Sequence, residues 1–271
     1  TAGFATGLSW WSYALTQCPA ILRYIRLAFW PDPLVFDYGD IAYREVADVL
    51  PAGLLLAALL AATAFALKRK TALGFCALAF FAILAPSSSV VPIHTQTMAE
   101  HRMYLPLAAV VISAVTGVVI LGSRHILTLT LLIAFAFVGL TIQRNKTYRS
   151  EMTIWADTLE KWPKNARAAD DYALALSKIG RWDEAAIYYE RALRLNPNSP
   201  VSHEGLGTAF FRQGKLKEAR THFESSLHSK PDHAPAYNGL AAVSFQSGDF
   251  RQAIRYWEES QRREPNNAVT A

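Results

Sequence analysis

Residues 166–199 read ARAADDYALALSKIGRWDEAAIYYERALRLNPNS, and the next two blocks of the chain, 200–233 and 234–267, repeat the same pattern. The landmarks recur every 34 residues, at Gly180, Gly214 and Gly248; Ala185, Ala219 and Ala253; Tyr189, Phe223 and Trp257; and Pro197, Pro231 and Pro265. A period held in register over three blocks is the signature of a repeat architecture, in which each block is one supersecondary unit.

This period and these landmarks are typical of the tetratricopeptide repeat (TPR), a pair of antiparallel helices. Small residues let the two helices approach closely, the glycine ends the first helix, and the proline ends the second. We therefore predict a TPR α-solenoid over residues 148–271, with repeats at 166–199, 200–233 and 234–267. Residues 148–165 are predicted to be a degenerate half repeat, whose helix continues out of the preceding apolar segment and caps the first repeat.

The first helix of each repeat is expected to line the concave face of the solenoid, the surface that such proteins use for binding. We call this face the groove. Its candidate partner-binding residues are Arg167, Asp170, Lys178, Glu204, Phe211, Arg212, Asn238 and Phe245. The mixture of charges, an amide and aromatic rings suits an extended peptide of a partner protein. Ordinary solvation, with packing against the rest of the chain, is the alternative that the sequence leaves open.

Residues 1–147 have a different character. A helix needs about 20 mostly apolar residues to cross a bilayer, and four apolar runs approach this length, at about 46–67, 71–91, 103–121 and 126–142. We therefore predict a polytopic transmembrane helical domain, which makes the whole chain all-α. Residues 1–45, rich in Trp, Tyr and Arg, are predicted to be an interfacial loop at the level of the lipid headgroups.

The charge distribution limits the class of partner. The net charge of +5 belongs to residues 1–150, which hold 11 Lys and Arg against 6 Asp and Glu. These basic residues lie between apolar runs and not on one face of a folded domain, so nucleic acid is not expected as a partner. Cys18 and Cys76 have no metal-ligand spacing, and no glycine-rich phosphate loop is present, so neither a metal nor a cofactor is expected.

One polar segment, SSSVVPIHTQTMAEHRMYLP at Ser87–Pro106, lies between two apolar runs. Ionisable residues at a membrane boundary favour a functional site. Arg102 could hold a phosphate or pyrophosphate through two parallel hydrogen bonds, and Glu100 could act as an acid or base. The candidate phosphate-binding residues are Glu100, His101, Arg102 and Tyr104. A loop whose charges simply face water is the alternative, and no residue can be named as catalytic.

The VVPI…MAEHRMYLP motif at residues 90–106 resembles the transmembrane and tetratricopeptide repeat-containing O-mannosyltransferases and their bacterial relatives. Three further stretches carry the same resemblance: YALTQCPAILRYIRLAFWPDPLVFDY at Tyr13–Tyr38, RNKTYRSEMTIWADTLEKWPKNARA at residues 144–168, and the repeats themselves. His101 stands where the animal members have a basic residue directly after the glutamate, and Leu107 stands where serine often follows the motif. Individual ligand contacts are therefore not transferred to this chain.

The resemblance implies a membrane glycosyltransferase of C-type architecture that moves a sugar from a polyprenyl-phosphate donor to a protein hydroxyl, with the TPRs binding the acceptor or another partner. Its acid or base would lie upstream of Thr1, so this chain is expected to be a C-terminal fragment. The rival interpretations are a non-catalytic, membrane-anchored TPR scaffold and a polymerase or ligase of lipid-linked glycans.

Location follows from the same resemblance and from a weak charge signal. The basic residues flanking the predicted spans are nearly balanced between the two sides, so the positive-inside rule does not decide orientation. Counting only the cluster Lys68–Lys70 would place that loop in the cytoplasm. The expectation is therefore a bacterial inner-membrane protein with its TPRs on the periplasmic side.

Overall fold

The computed structural model describes residues 10–29, 34–39, 43, 45–88, 111 and 124–264. The chain divides into two compact units, Thr1–Arg149 and Ser150–Ala271. Regular secondary structure in the described ranges is entirely α-helical. The helices, numbered in chain order, are α1 (Trp10–Phe29), α2 (Val46–Lys68), α3 (Ala72–Ser88), α4 (Arg124–Thr147), α5 (Glu151–Lys161), α6 (Ala166–Lys178), α7 (Trp182–Leu195), α8 (Pro200–Arg212), α9 (Leu216–Ser229), α10 (Ala234–Gln246) and α11 (Phe250–Arg263).

In the first unit, α2 and α3 form a tight helical hairpin. The connecting turn places Lys70 in the left-handed region, with φ of 52°. A Cβ atom on Gly74 would lie 2.7 Å from the carbonyl carbon of Ala66, closer than any side chain tolerates. Glycine at this position therefore lets α3 approach the end of α2.

Helix α1 occupies much of the segment predicted as an interfacial loop. It is 20 residues long, contains Pro19, and contacts α2 and α3. The guanidinium of Arg23 lies 4.8 Å from the centre of the Tyr38 ring, which joins α1 to the described segment 34–39. The segment predicted as an interfacial loop thus contains a regular helix that begins at Trp10.

Among the described residues, α2 is the one helix long and apolar enough to cross a membrane. Leu54, Leu55 and Phe65 on α2 are exposed, as are several apolar side chains of the shorter helix α3. The predicted run 126–142 lies within α4, whose residues Leu132, Phe135 and Val138 are also exposed. The predicted run 103–121 lies almost wholly outside the described residues. The four-span arrangement stays a prediction.

The continuous helix predicted from the fourth apolar run through residue 161 is wrong. Helix α4 ends at Thr147 and α5 begins at Glu151. The backbone of Ser150 is extended, and its hydroxyl accepts a hydrogen bond from the Thr153 amide. The Thr153 hydroxyl in turn accepts a hydrogen bond from the Ser150 amide. This reciprocal capping box satisfies two amides that a new helix start leaves unpaired, so it stabilises a break at this position.

The second unit contains α5 and three helix pairs: α6 with α7, α8 with α9, and α10 with α11. In each pair the connecting turn contains a glycine of the repeat pattern, with φ of 80° at Gly180, 78° at Gly214 and 81° at Gly248. An L-residue with a side chain rarely adopts this conformation, which explains why glycine recurs there. The predicted TPR solenoid is confirmed.

Small residues set the distance between paired helices. Ala185, Ala219 and Ala253 are fully buried at equivalent positions of α7, α9 and α11. Helix α5 covers the first pair, because Leu159 is buried against Ala168, Ala169 and Ala192. Helix α5 therefore packs against the first helix pair as a separate helix.

Candidate partner-binding groove

The groove contains one position that is polar in all three repeats. Asp170, Glu204 and Asn238 are 34 residues apart and lie on equivalent turns of α6, α8 and α10. These first helices contact one another in succession. Asp170 interacts with the hydroxyl of Ser202 on the neighbouring first helix. The structure therefore brings these three predicted residues into one row, which we call the polar row.

Asp170 is largely buried without a cationic partner. Burial raises the pKa of its carboxyl group from 3.8 to about 6, a hydrogen bond from the Ser202 hydroxyl opposes this, and the charge of Asp171 adds to it. Its Oδ1 atom is buried and has no hydrogen-bond partner among the described residues. A buried acceptor left unpaired costs free energy.

Glu204 resembles Asp170 in its surroundings. Its Oε1 accepts a hydrogen bond of 2.9 Å from the Thr208 hydroxyl. Burial raises the pKa of this carboxyl group, and the Thr208 hydrogen bond opposes the shift. Among the described residues no Lys or Arg pairs with either carboxylate. The two acids therefore form an acceptor surface that the described chain does not neutralise.

Asn238 completes the row with a neutral amide. Its Oδ1 atom is buried and has no hydrogen-bond partner in the described part of the chain. The polar row thus presents acceptor oxygens from three successive repeats, two of them on carboxylates.

Tyr189 lies behind this row and was not identified as a site residue from the sequence. Burial raises the pKa of its hydroxyl to about 12, and the charges of Glu204 and Asp170 contribute in the same direction, against a hydrogen bond with Ser177. Its ring serves the packing role that the repeat pattern predicts. A sequence signal for Tyr189 exists: among Tyr189, Phe223 and Trp257, which share one repeat position, it alone carries a hydroxyl, and the nearby residues of the polar row are acidic.

Two of the three predicted basic residues of the groove are engaged elsewhere. Nζ of Lys178 lies 2.6 Å from Oε2 of Glu151 on the capping helix α5. The guanidinium of Arg212 lies 5.4 Å from the centre of the Trp182 ring. Arg167 is partly exposed on α6. The structure therefore does not place Lys178 and Arg212 beside the acids of the polar row.

The two predicted aromatic residues differ in environment. Phe211 packs against the core formed by Ala219, Phe223 and Leu240. Phe245 is 54% exposed, and its ring meets that of Phe250 edge to face at 5.3 Å. Phe211 is therefore largely structural, whereas Phe245 belongs to an exposed apolar surface near the end of the third repeat.

The predicted phosphate-binding residues Glu100, His101, Arg102 and Tyr104 lie outside the described residues. Within the described ranges, no group of three or more His, Cys, Asp or Glu side chains could hold a metal ion. The groove is thus the candidate site whose geometry can be described.

Comparison with known proteins agrees with the repeat geometry. Residues 173–214 match the family described as TPR repeat, and residues 210–270 match the family described as tetratricopeptide repeat. Over 118 residues, or 41% of this chain, the sequence is 28% identical to the protein O-mannosyl-transferase TMTC1 of Mus musculus. The Homo sapiens protein of the same name matches with the same identity over the same length. The match spans 12% of the mouse protein and 13% of the human protein.

Solved structures with similar helix arrangements include YrrB, described as a TPR protein with an unusual peptide-binding site. It is 19% identical, with a TM-score of 0.41, and the match covers 49% of this chain and 68% of that structure. The first TPR of Spaghetti (RPAP3), bound to an HSP90 peptide, is 24% identical with a TM-score of 0.37, covering 39% of this chain and 83% of that one. The C-terminal unit of this chain is a TPR protein-interaction domain, because it consists of the expected helix pairs and matches the TPR families.

Proposed function

We propose that this chain is the acceptor-recruiting part of a membrane protein O-glycosyltransferase, in which the groove holds an extended segment of the acceptor protein. The observation that carries the recruiting role is the polar row, whose two half-buried carboxylates have no cationic partner among the described residues. The transferase assignment rests on the motif around Glu100 and on the partial similarity to the O-mannosyl-transferases.

The polar row defines what a partner must offer. An extended peptide exposes backbone N–H groups at regular intervals, and these could donate to Asp170, Glu204 and Asn238 in turn. Hydrogen bonds to ionised acceptors are about twice as strong as neutral ones. The proposed ligand is therefore an extended segment that is rich in hydrogen-bond donors.

Membrane attachment is the second part of the proposal. Helix α2 has the length and composition of a span, and exposed apolar side chains on α3 and α4 would face lipid in the four-span arrangement. An aqueous environment would leave this surface unfavourably solvated. A bacterial inner-membrane location with periplasmic repeats remains part of this proposal.

The transfer step is assigned to the polar segment at Ser87–Pro106. Arg102 would hold the phosphate of a polyprenyl-phosphate sugar, supported by Glu100, His101 and Tyr104. Arg102→Ala should abolish most transfer in the full-length enzyme, and Arg102→Lys should restore only part of it, because lysine cannot make the two parallel hydrogen bonds of a guanidinium. Arg124→Ala is the matched control, since Arg124 lies on the opposite side in the four-span arrangement.

A membrane-anchored TPR scaffold is the second candidate, favoured by the observation that the similarity to the O-mannosyl-transferases covers only 41% of this chain. Mass spectrometry of O-linked hexose on the protein that co-purifies with the chain separates the two. A transferase predicts that Arg102→Ala removes the sugar but leaves co-purification intact, whereas Glu204→Gln weakens both. A scaffold predicts that the co-purified protein carries the same glycans in every variant, which would reject the enzymatic proposal.

A further inference from the structure

The turn between α2 and α3 carries three consecutive basic residues, Lys68, Arg69 and Lys70, which we call the basic tip. All three side chains are exposed. Residues 49–88 contain no acidic residue, and among the described residues no carboxylate forms an ion pair with the basic tip. The tip is therefore a concentration of positive charge that the described part of the chain does not neutralise.

The backbone of this turn is fixed by hydrogen bonds to α2. The amides of residues 69–71 donate hydrogen bonds of 2.8–3.2 Å to carbonyl oxygens in the last turns of α2. The Thr71 hydroxyl donates to the Ala66 carbonyl oxygen, at 3.1 Å, and accepts a hydrogen bond from the Gly74 amide. Because the backbone is already ordered, a ligand of the basic tip would not have to order a flexible loop when it binds.

Lys70 stands where the backbone favours glycine. Its φ of 52° places it in the left-handed region, and every other described residue at positive φ is a glycine. A side chain destabilises this conformation, whereas glycine adopts it freely. The sequence thus keeps a positive charge against the preference of the backbone, which is the pattern expected when the side chain has a function of its own.

Exposed apolar side chains lie next to the basic tip on both helices. Phe65 on α2 is 61% exposed, and Leu73 and Phe75 on α3 are 74% and 67% exposed. The guanidinium of Arg69 lies 5.2 Å from the centre of the Phe65 ring, so its charge is directly beside an apolar surface. Apolar side chains and cations within a few residues of each other match the boundary between the tails and the headgroups of a lipid bilayer.

We propose that the basic tip binds the phosphate groups of anionic phospholipids at the membrane surface that this end of α2 reaches. The inference rests on the proposal that α2 crosses a membrane. Arg69 can hold a lipid phosphate through two parallel hydrogen bonds, while Lys68 and Lys70 add charge. In the four-span arrangement the tip and the segment Ser87–Pro106 lie on opposite sides of the membrane, so this lipid is not the sugar donor.

Native mass spectrometry of the full chain released from nanodiscs tests this preference. The nanodiscs contain equal parts of phosphatidylglycerol and phosphatidylcholine with the same acyl chains, and the lipids that stay bound to the released chain are counted. Phosphatidylglycerol should predominate with the natural sequence. Lys70→Gly and Arg69→Gln should each lower the ratio of bound phosphatidylglycerol to phosphatidylcholine about fivefold, the contribution of one basic residue at an anionic membrane surface. Because Lys70→Gly also relieves the positive φ, its melting temperature should be no lower than that of the natural sequence, which excludes misfolding as the cause.

Two controls keep the result specific. Arg251→Gln removes one exposed positive charge from α11 in the repeat unit and should leave the lipid ratio unchanged. Excess glycerol phosphate in the buffer should not lower the ratio, and a decrease would indicate a site for soluble phosphate in place of a lipid. Equal retention of the two lipids by the natural chain, an unchanged ratio in Lys70→Gly, or equal effects of Arg69→Gln and Arg251→Gln would also overturn the proposal. Failure of the chain to enter nanodiscs of phosphatidylcholine alone would instead overturn the membrane attachment on which the inference rests.

Discussion

Replacing Asp170 by asparagine should stabilise the repeat unit at high pH while weakening its binding of partners. Burial raises the pKa of the Asp170 carboxyl group from 3.8 to about 6, so the folded state binds more protons than the unfolded state between these values. The stability contributed by this group is therefore fully present below pH 3.8 and is lost as the pH rises through about 6.

The magnitude follows from the same pKa difference. Ionising a carboxyl group whose pKa is about 6 in place of 3.8 costs the folded state about 3 kcal/mol, at roughly 1.4 kcal/mol per pKa unit. Asparagine removes the charge but keeps a buried polar group at position 170. Unpaired polar atoms there cost about 1–3 kcal/mol with either aspartate or asparagine. We expect a net gain in the free energy of unfolding of about 1–3 kcal/mol at about pH 8, vanishing near pH 4.

Urea unfolding of a recombinant fragment of residues 148–271, followed by circular dichroism at both pH values, measures this gain. Glu224→Gln is the control, because Glu224 is exposed on α9 and its neutralisation should change little. An Asp170→Asn fragment that is no more stable than the natural sequence at pH 8, or that keeps its advantage undiminished at pH 4, would refute the argument that burial dominates this carboxylate.

Three further predictions concern packing, histidine titration and topology. Gly239→Ala should lower the free energy of unfolding by about 1–3 kcal/mol, measured by urea titration, because its Cβ would lie 2.3 Å from the buried Phe223 ring. Burial, and to a smaller extent the charge of His203, lowers the pKa of His222 below 6.5. The unfolded state therefore binds more protons than the folded state, and the free energy of unfolding falls as the pH drops through 6.5. His222→Gln should reduce this pH dependence in thermal melts. In a background without native cysteines, a cysteine at Ser88 and one in the repeats should react with an impermeant maleimide from the same side of the membrane, and labelling from opposite sides would reject the four-span arrangement.

The repeat architecture was predictable because its landmarks have direct steric causes. A glycine every 34 residues marks a turn that needs positive φ, as at Gly180, and an alanine at the same interval marks close helix contact, as at Ala185. Such requirements are local to one helix pair, so they appear in the sequence of each repeat. The helix break at Ser150 was also encoded locally, but the capping residues there are Ser and Thr and not the more common Ser and Glu.

The groove was predictable only in part. Its register follows from the period, which places Asp170, Glu204 and Asn238 in one row. The partners of its charges do not follow, because they depend on distant segments: Lys178 pairs with Glu151, 27 residues away on another helix. Apolar runs likewise indicate helices without determining whether each crosses a membrane, so the polytopic domain is still a prediction.

The central claim, that the groove holds an extended segment of a partner protein, can be tested most directly by photo-crosslinking in cells. A photoreactive amino acid replaces Leu174, which is 46% exposed on α6 one turn after Asp170, and, as the control, Ile187 on the second helix of the same repeat. The account predicts a discrete protein adduct from position 174 that is absent from position 187 and diminished by Glu204→Gln. The same adducts from both positions, or no adduct from position 174 in cells where the chain is folded, would contradict it.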